Sequence, residues 1–306
     1  MKPEVWWKNF GLGMELDASG TFIYNGIKTL DTLEGLNHSV DIFEVLYSLS
    51  VGIERLFKVA IILIEHNDEI SIEEFEESLI THNTMDLANR VGKQLTDKLS
   101  SPHKEFLSLL SKFYKTHRYG RFSLSSVPNI DSEKKLFLEF LHKQLNVEIH
   151  DDSPLAYIHN TIQIKKFIGK VVKKIASETF NIIQRRTTDL NIYTHELRSD
   201  SKAIKVFLGL GERLDFIDEN QVKRELLAFL MNPDNTGEHI DIVRSFGSVE
   251  LDECSAPLYI KALLNDVHIH LVEGEVDYAY EEVDKIKERF QLLGLMDSEH
   301  LSYSEE

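Results

Sequence analysis

The stretch VDIFEVLYSLSVGIERLFKVAIILIEHN, Val40 to Asn67, places apolar side chains at nearly every third or fourth position. Phe43, Leu46, Leu49 or Ser50, Ile53, Phe57 and Ile61 trace one face of a helix, because a period of 3.6 residues stacks such positions above one another. Gly52 marks the place where a break in that helix is expected. Within it, LFKVAIILI from Leu56 to Ile64 is interrupted by Lys58 and followed by charges. It falls well short of the about 18 apolar residues a membrane span needs. It therefore reads as a buried helix, and no membrane partner is expected.

The same period extends outward in both directions. An acidic helix is expected at SIEEFEESLI, where Ser71 and Glu74 have the spacing of a capping box. HNTMDLANRVGKQL reads as another helix, and SPHKEFLSLLSKFYKTH as a further one with Ser101 as N-cap and Pro102 at the first helical position. SEKKLFLEFLHKQL follows a polar loop. A long helix runs from about Tyr157 to Thr187, and four more segments follow from SKAIKVFLGLGERL to EVDYAYEEVDKIKERFQLLGL. With 6 prolines and 15 glycines in 306 residues, turn punctuation is too sparse for a many-stranded sheet. The fold class is all-α. Three parts are expected: residues 1–35 as an N-terminal segment packing on the bundle, 36–200 as the helical bundle, and 201–306 as a smaller acidic helical domain.

The net charge is −17, from 51 acidic and 34 basic residues, so broad polyanion binding is disfavoured and any nucleic-acid site must be local. The N-terminus MKPEVWWKNF has neither an apolar core nor a small-residue cleavage site, and the expected compartment is the cytoplasm. The single cysteine, Cys254, agrees with that and reads as a small packing residue. Several partial motifs carry no chemistry. FGLG and LGLGERL lack the flanking strand and terminal Lys-Ser or Lys-Thr of a phosphate loop. FGSVELDE lacks the spaced Asp pair that holds two metals. His268 and His270 point about 200° apart on a helix. NPDNTG lacks the glutamate that closes a calcium loop. No metal or cofactor is expected.

Two cationic features stand out in this acidic chain. On the long helix, Lys166, Lys170, Lys173 and Lys174 gather on the side opposite Phe167, Ile168, Val171, Ile175 and Ile182. This stripe is either a solvated face balancing nearby acids or an anion-binding surface. The second feature is KTHRYGRF, Lys115 to Phe122, with three basic residues, a histidine and two aromatics in eight positions. Arg118 and Arg121 can close the C-terminus of the preceding helix and pair with acids. They can equally grip phosphate oxygens while Tyr119 or Phe122 stacks on a base.

The order of these segments resembles a known family. GIERLFKVAII carries a Glu and a Lys four apart among apolar residues, THNTMDL stands where the family has Thr-His-Asp-Leu, and SKFYKTHRYGRF stands where it has Tyr-x-x-x-Arg-Tyr-Pro. This is the pattern of HEPN domains, helical bundles of bacterial toxin, antiphage and nucleotide-binding systems, and it covers roughly residues 36–185. The resemblance implies that Glu54 and Lys58 are neighbours, that His82 and Asn83 are the matching polar pair, and that Arg118 and Tyr119 form the Arg-Tyr corner. Gly120 replaces the usual proline. It further implies RNA or nucleotide as ligand, a bacterial defence or stress role and a homodimer paired through helices. Catalytic members are metal-independent endoribonucleases with an Arg, four to six residues, and a His. No Arg of this chain has a His at that spacing, so His82 and Arg118 remain as candidates for ligand contact more than for strand cleavage. The alternative is a non-catalytic interaction or scaffold protein whose acidic C-terminal half binds a basic protein partner.

Overall fold

The computed structural model describes residues 3–67, 71–117, 132–146, 157–265 and 268–296. Of these residues 74% are helical, and the single strand-like pairing among them is the bridge between Gly35 and His159. The fold is all-α. The chain separates into two compact units, Met1–Asp215 and Phe216–Glu306.

The first unit begins with a helical turn α1 (Pro3–Trp6), a π-helical turn (Trp7–Gly11) and α2 (Leu12–Thr32), which folds back along α3 (Ser39–Glu65). The two helices form an antiparallel hairpin held very close. A Cβ added at Gly52 would lie 2.7 Å from Ile23 Cγ1 and 2.9 Å from Ser19 O, and Ser19 Oγ donates to the Gly52 carbonyl at 2.8 Å. Gly52 therefore does not break α3, contrary to the sequence expectation. Its missing side chain is what admits α2. The single apolar face read from the sequence is also too modest, since 16 of the 27 residues of α3 are buried. A helix apolar on nearly every side is a core helix.

Around α3 lie α4 (Ile72–Ser78), α5 (Thr84–Val91), the short α6 (Lys93–Thr96), α7 (Ser101–Lys112), α8 (Ser132–Leu145), α9 (Ile162–Leu190) and α10 (Lys202–Phe207). Ser71 caps α4 as expected, its Oγ accepting from Glu74 N–H at 3.1 Å. The helix expected from HNTMDLANRVGKQL is divided at Gly92, whose φ of 100° only glycine adopts easily. The N-cap of α7 is Ser100, one residue earlier than expected, with the Ser100 N–H donating to His103 Nδ1 at 3.2 Å. A π-helical turn, Phe113–His117, prolongs α7. Phe140 of α8 packs between Phe106 and Phe167, with ring centroids 5.6 and 5.8 Å away. Residues 157–160 strap the α2–α3 connection: Asn160 Nδ2 donates to Leu30 O at 2.6 Å and Leu33 O at 3.0 Å, and the Leu36 N–H to Ile158 O at 2.8 Å.

Helix α10 packs on the first unit. Ala203 lies against Gly20, where an added Cβ would approach Ala203 Cβ to 2.3 Å, and Phe207 stacks on Phe180 with centroids 5.0 Å apart. The division of the chain thus follows Asp215, whereas the change of composition read from the sequence falls near residue 200.

The second unit contains α11 (Ile217–Met231), α12 (Glu238–Ser245), α13 (Ala256–Leu264), α14 (His270–Tyr280) and α15 (Ile286–Leu293). Arg244 closes the end of α11, donating to Asn232 O at 2.6 Å, Asn235 O at 2.8 Å and Leu230 O at 3.2 Å. Cys254 is exposed, not the packing residue the sequence suggested. It sits in a single turn whose N-cap, Asp252, accepts from its N–H at 2.9 Å. Among the described residues no helix is long and apolar enough to cross a membrane.

The close approach of α2 and α10 makes a direct prediction. Gly20→Ala forces a methyl into Ala203 and should lower stability by about 1–3 kcal/mol. Gly274→Ala, at a helical glycine with no atom within 4 Å of the new Cβ, should be neutral or stabilising by up to about 1 kcal/mol. Urea unfolding curves of the two variants check this; equal destabilisation would contradict the packing of α10 on α2.

Candidate functional site

The central charged group of the bundle is Glu54. It lies in the buried middle of α3, 8% exposed, and a carboxylate there must be paired because its desolvation would otherwise cost several kcal/mol. Two partners reach it. Lys58, one turn further along the helix, donates from Nζ to Oε1 at 2.6 Å. His82, from the loop before α5, sets Nδ1 3.1 Å from Oε1 and 3.0 Å from Oε2.

That contact fixes the chemistry of the imidazole. A carboxylate accepts and cannot donate, so Nδ1 carries the proton and the Nε2 lone pair of the neutral ring points away from Glu54. The His82 side chain is 46% exposed, so the ring is only partly withdrawn from solvent. One face of the ring is covered by Tyr114, with centroids 4.3 Å apart and planes tilted by 33°. Tyr114 is buried and belongs to the π-helical turn after α7.

The loop holding His82 is pinned independently. Thr84 Oγ1 reaches Leu107 O at 2.7 Å and Ser111 Oγ at 2.8 Å, and the Met85 N–H donates to Ser111 Oγ at 3.3 Å. The loop before α5 and the end of α7 consequently meet at His82 and Tyr114. Asn83, the other member of the sequence-derived pair, turns away: its Nδ2 donates to Asp86 Oδ2 in the first turn of α5. Arg118, Tyr119 and Arg121 lie outside the described residues. Tyr114 opens the Tyr-x-x-x-Arg-Tyr match in SKFYKTHRYGRF, but the sequence reading gave a role only to Arg118 and Tyr119.

The lysine stripe divides into three environments. Lys166 is exposed, with no ion pair among the described residues. Lys170 faces Glu212 at 3.4 Å, and Lys174 pairs with Glu178 at 2.8 Å, a carboxylate that Lys98 also reaches at 2.6 Å. Lys173 corrects the expectation of a common solvent face. It is buried, 5% exposed, and donates to Val206 O at 2.9 Å and Gly209 O at 3.0 Å at the C-terminal end of α10. Burial pushes its pKa below the ordinary lysine value. Glu178 is pushed up by partial burial, but its hydrogen bonds from Lys174 and Lys98 prevail and hold it below the ordinary carboxylate value. Among the described residues no group of three or more His, Cys, Asp or Glu side chains is placed to hold a metal.

Comparison of the chain with models of known families, with characterised proteins and with solved structures finds no match.

Lys173 and Lys166 differ in a measurable way. Lys173→Met strips two carbonyls, one of them buried, of their donor and should cost about 1–3 kcal/mol, whereas Lys166→Met should stay within about 0.5 kcal/mol. The unfolded chain binds the Lys173 proton more tightly than the folded one. Stability of the wild type relative to Lys173→Met should therefore rise with pH between the lowered folded-state pKa and the ordinary lysine range. Denaturant unfolding of both variants at neutral and alkaline pH checks the assignment.

Proposed function

We propose that the first unit is a HEPN-like bundle that binds RNA or a nucleotide, with His82 at its ligand contact. The observation that carries this is the buried carboxylate of Glu54 holding His82 by Nδ1, which leaves Nε2 outward beside a tyrosine ring. An imidazole so held accepts a hydrogen bond when neutral and donates a charge-assisted one to a phosphate oxygen when protonated. Arg118 and Arg121, which follow the end of the Tyr114 turn in sequence, supply the permanent positive charge that phosphate recognition needs. Tyr119 supplies a stacking surface for a base. Of the stripe lysines, Lys166 is the exposed one with no ion pair among the described residues, so it is the stripe's main contributor to polyanion attraction.

The proposal is ligand holding. The family's spaced Arg and His are absent from the sequence, and strand cleavage is not part of it. A bacterial defence or stress setting, a cytoplasmic location and pairing of two bundles into a homodimer belong to the same reading and rest on the resemblance of residues 36–185.

The test is fluorescence anisotropy of a labelled single-stranded RNA and of labelled ATP, in a salt series. Binding should weaken as salt rises, with a slope set by the few cations engaged. Arg118→Ala and His82→Ala should each lower affinity by about 10- to 100-fold, in line with about 1.5–3 kcal/mol for a charge-assisted contact, without changing the far-ultraviolet circular dichroism. Unchanged affinity in both variants would overturn the site.

A further inference from the structure

The second unit is underfilled for its size. It spans 91 residues, Phe216–Glu306, yet its buried apolar side chains among the described residues are Phe216, Phe246, Ala262, Val272 and Ala279. A domain of this length ordinarily withdraws more than half of its chain surface from water. The deficit is shared among its helices, and on α11, the longest of them, no residue is buried at all. Val222, Leu226, Phe229 and Leu230 are 57%, 56%, 50% and 53% exposed. Their spacing of four, three and one places them within one face of the helix, the arrangement that elsewhere in this chain is covered by a neighbour. An apolar face of this kind, rimmed by polar residues, marks a surface made to be covered.

Charge decides what covers it. The second unit carries 21 acidic and 7 basic residues, so −14 of the chain's net −17 resides there. Several of the seven cations are already committed, among them Arg244 to the carbonyls ending α11, Arg289 to Phe246 O at 2.7 Å and Gly247 O at 3.2 Å, and Lys285 to Glu288 at 3.0 Å. A second copy would bring −14 against −14, and nucleic acid would be repelled more strongly still. We infer that the α11 face is a docking surface for a cationic amphipathic helix of another protein, its apolar side seated on Leu226 and Phe229 and its Lys or Arg residues drawn by the net negative charge of the unit. This does not depend on the ligand assigned to the His82 site, which lies in the first unit.

The experiment uses the full chain and three fluorescein-labelled helical peptides of about five turns: a Lys/Leu amphipathic helix, a Glu/Leu helix with the same apolar pattern, and a Lys/Ser helix with the charge but no apolar face. The Lys/Leu peptide should bind at least tenfold more tightly than either control. Leu226→Ser/Phe229→Ser should remove at least tenfold of that affinity while the circular dichroism stays that of the wild type, since both side chains are exposed. Three results would overturn the inference. They are equal binding of the Lys/Ser peptide, which would mean a diffuse acidic surface; Lys/Leu binding that survives the double substitution; and a self-associated wild type that the double substitution converts to monomer, which would mean that a second copy occupies the face.

Discussion

The burial of one carboxylate organises the first unit. Glu54 sits on a helix wrapped by α2, α5, α7, α8 and α9, and an ionised group in that position demands hydrogen-bonding partners. Lys58 can reach it along the same helix. His82 can reach it only if the loop before α5 is brought in over α3, which requires the Thr84–Ser111 bonds that fasten that loop to α7. The need of one side chain on the core helix is thus met by residues from two other elements, and their meeting place is the candidate site. Removing either partner leaves the buried carboxylate short of a hydrogen bond, so stability and site geometry are coupled through Glu54.

The same core helix could be that thoroughly surrounded only because glycine allowed it. Gly26 and Gly52 bring α2 into contact with α3, and Gly20 brings α10 onto α2. Ala at these points would hold the helices apart or displace a neighbour. Lys173 performs a related service for α10, supplying donors to carbonyls that the short helix leaves unsatisfied at its C-terminal end. The second unit is built differently. It has few buried apolar side chains and a large excess of acids, and its longest helix displays its apolar side to solvent.

Much of this was legible from spacing alone. The periodicity from Val40 to Asn67, the Ser71 cap and the helix from Ser132 to Leu145 all follow from local chemistry that the sequence displays openly. What stayed hidden depends on distant residues. Helix α2 was not recognised within residues 1–35: glycines weaken a helix in isolation, and those at 20 and 26 make sense only with the helices they accommodate. Lys173 looked like its neighbours on the stripe, since the carbonyls that bury it come from α10, 33 and 36 residues away. The pairing of His82 with Glu54 spans 28 residues. The family resemblance named both residues without requiring that they touch. Tyr114 opens the Tyr-x-x-x-Arg-Tyr match but was given no role, because an aromatic near a helix end is ordinarily a core residue, which it also is.

The tautomer of His82 tests the account most directly, because the Glu54 contact and the outward Nε2 lone pair stand or fall together. Long-range proton–nitrogen correlation spectra of the full chain, recorded above the imidazole pKa, distinguish the two neutral forms by their nitrogen shifts. The account predicts that wild-type His82 is protonated at Nδ1 with Nε2 as the bare nitrogen, and that Glu54→Leu abolishes this preference in protein that remains folded. A wild-type ring protonated at Nε2, or a tautomer indifferent to the loss of Glu54, would contradict it.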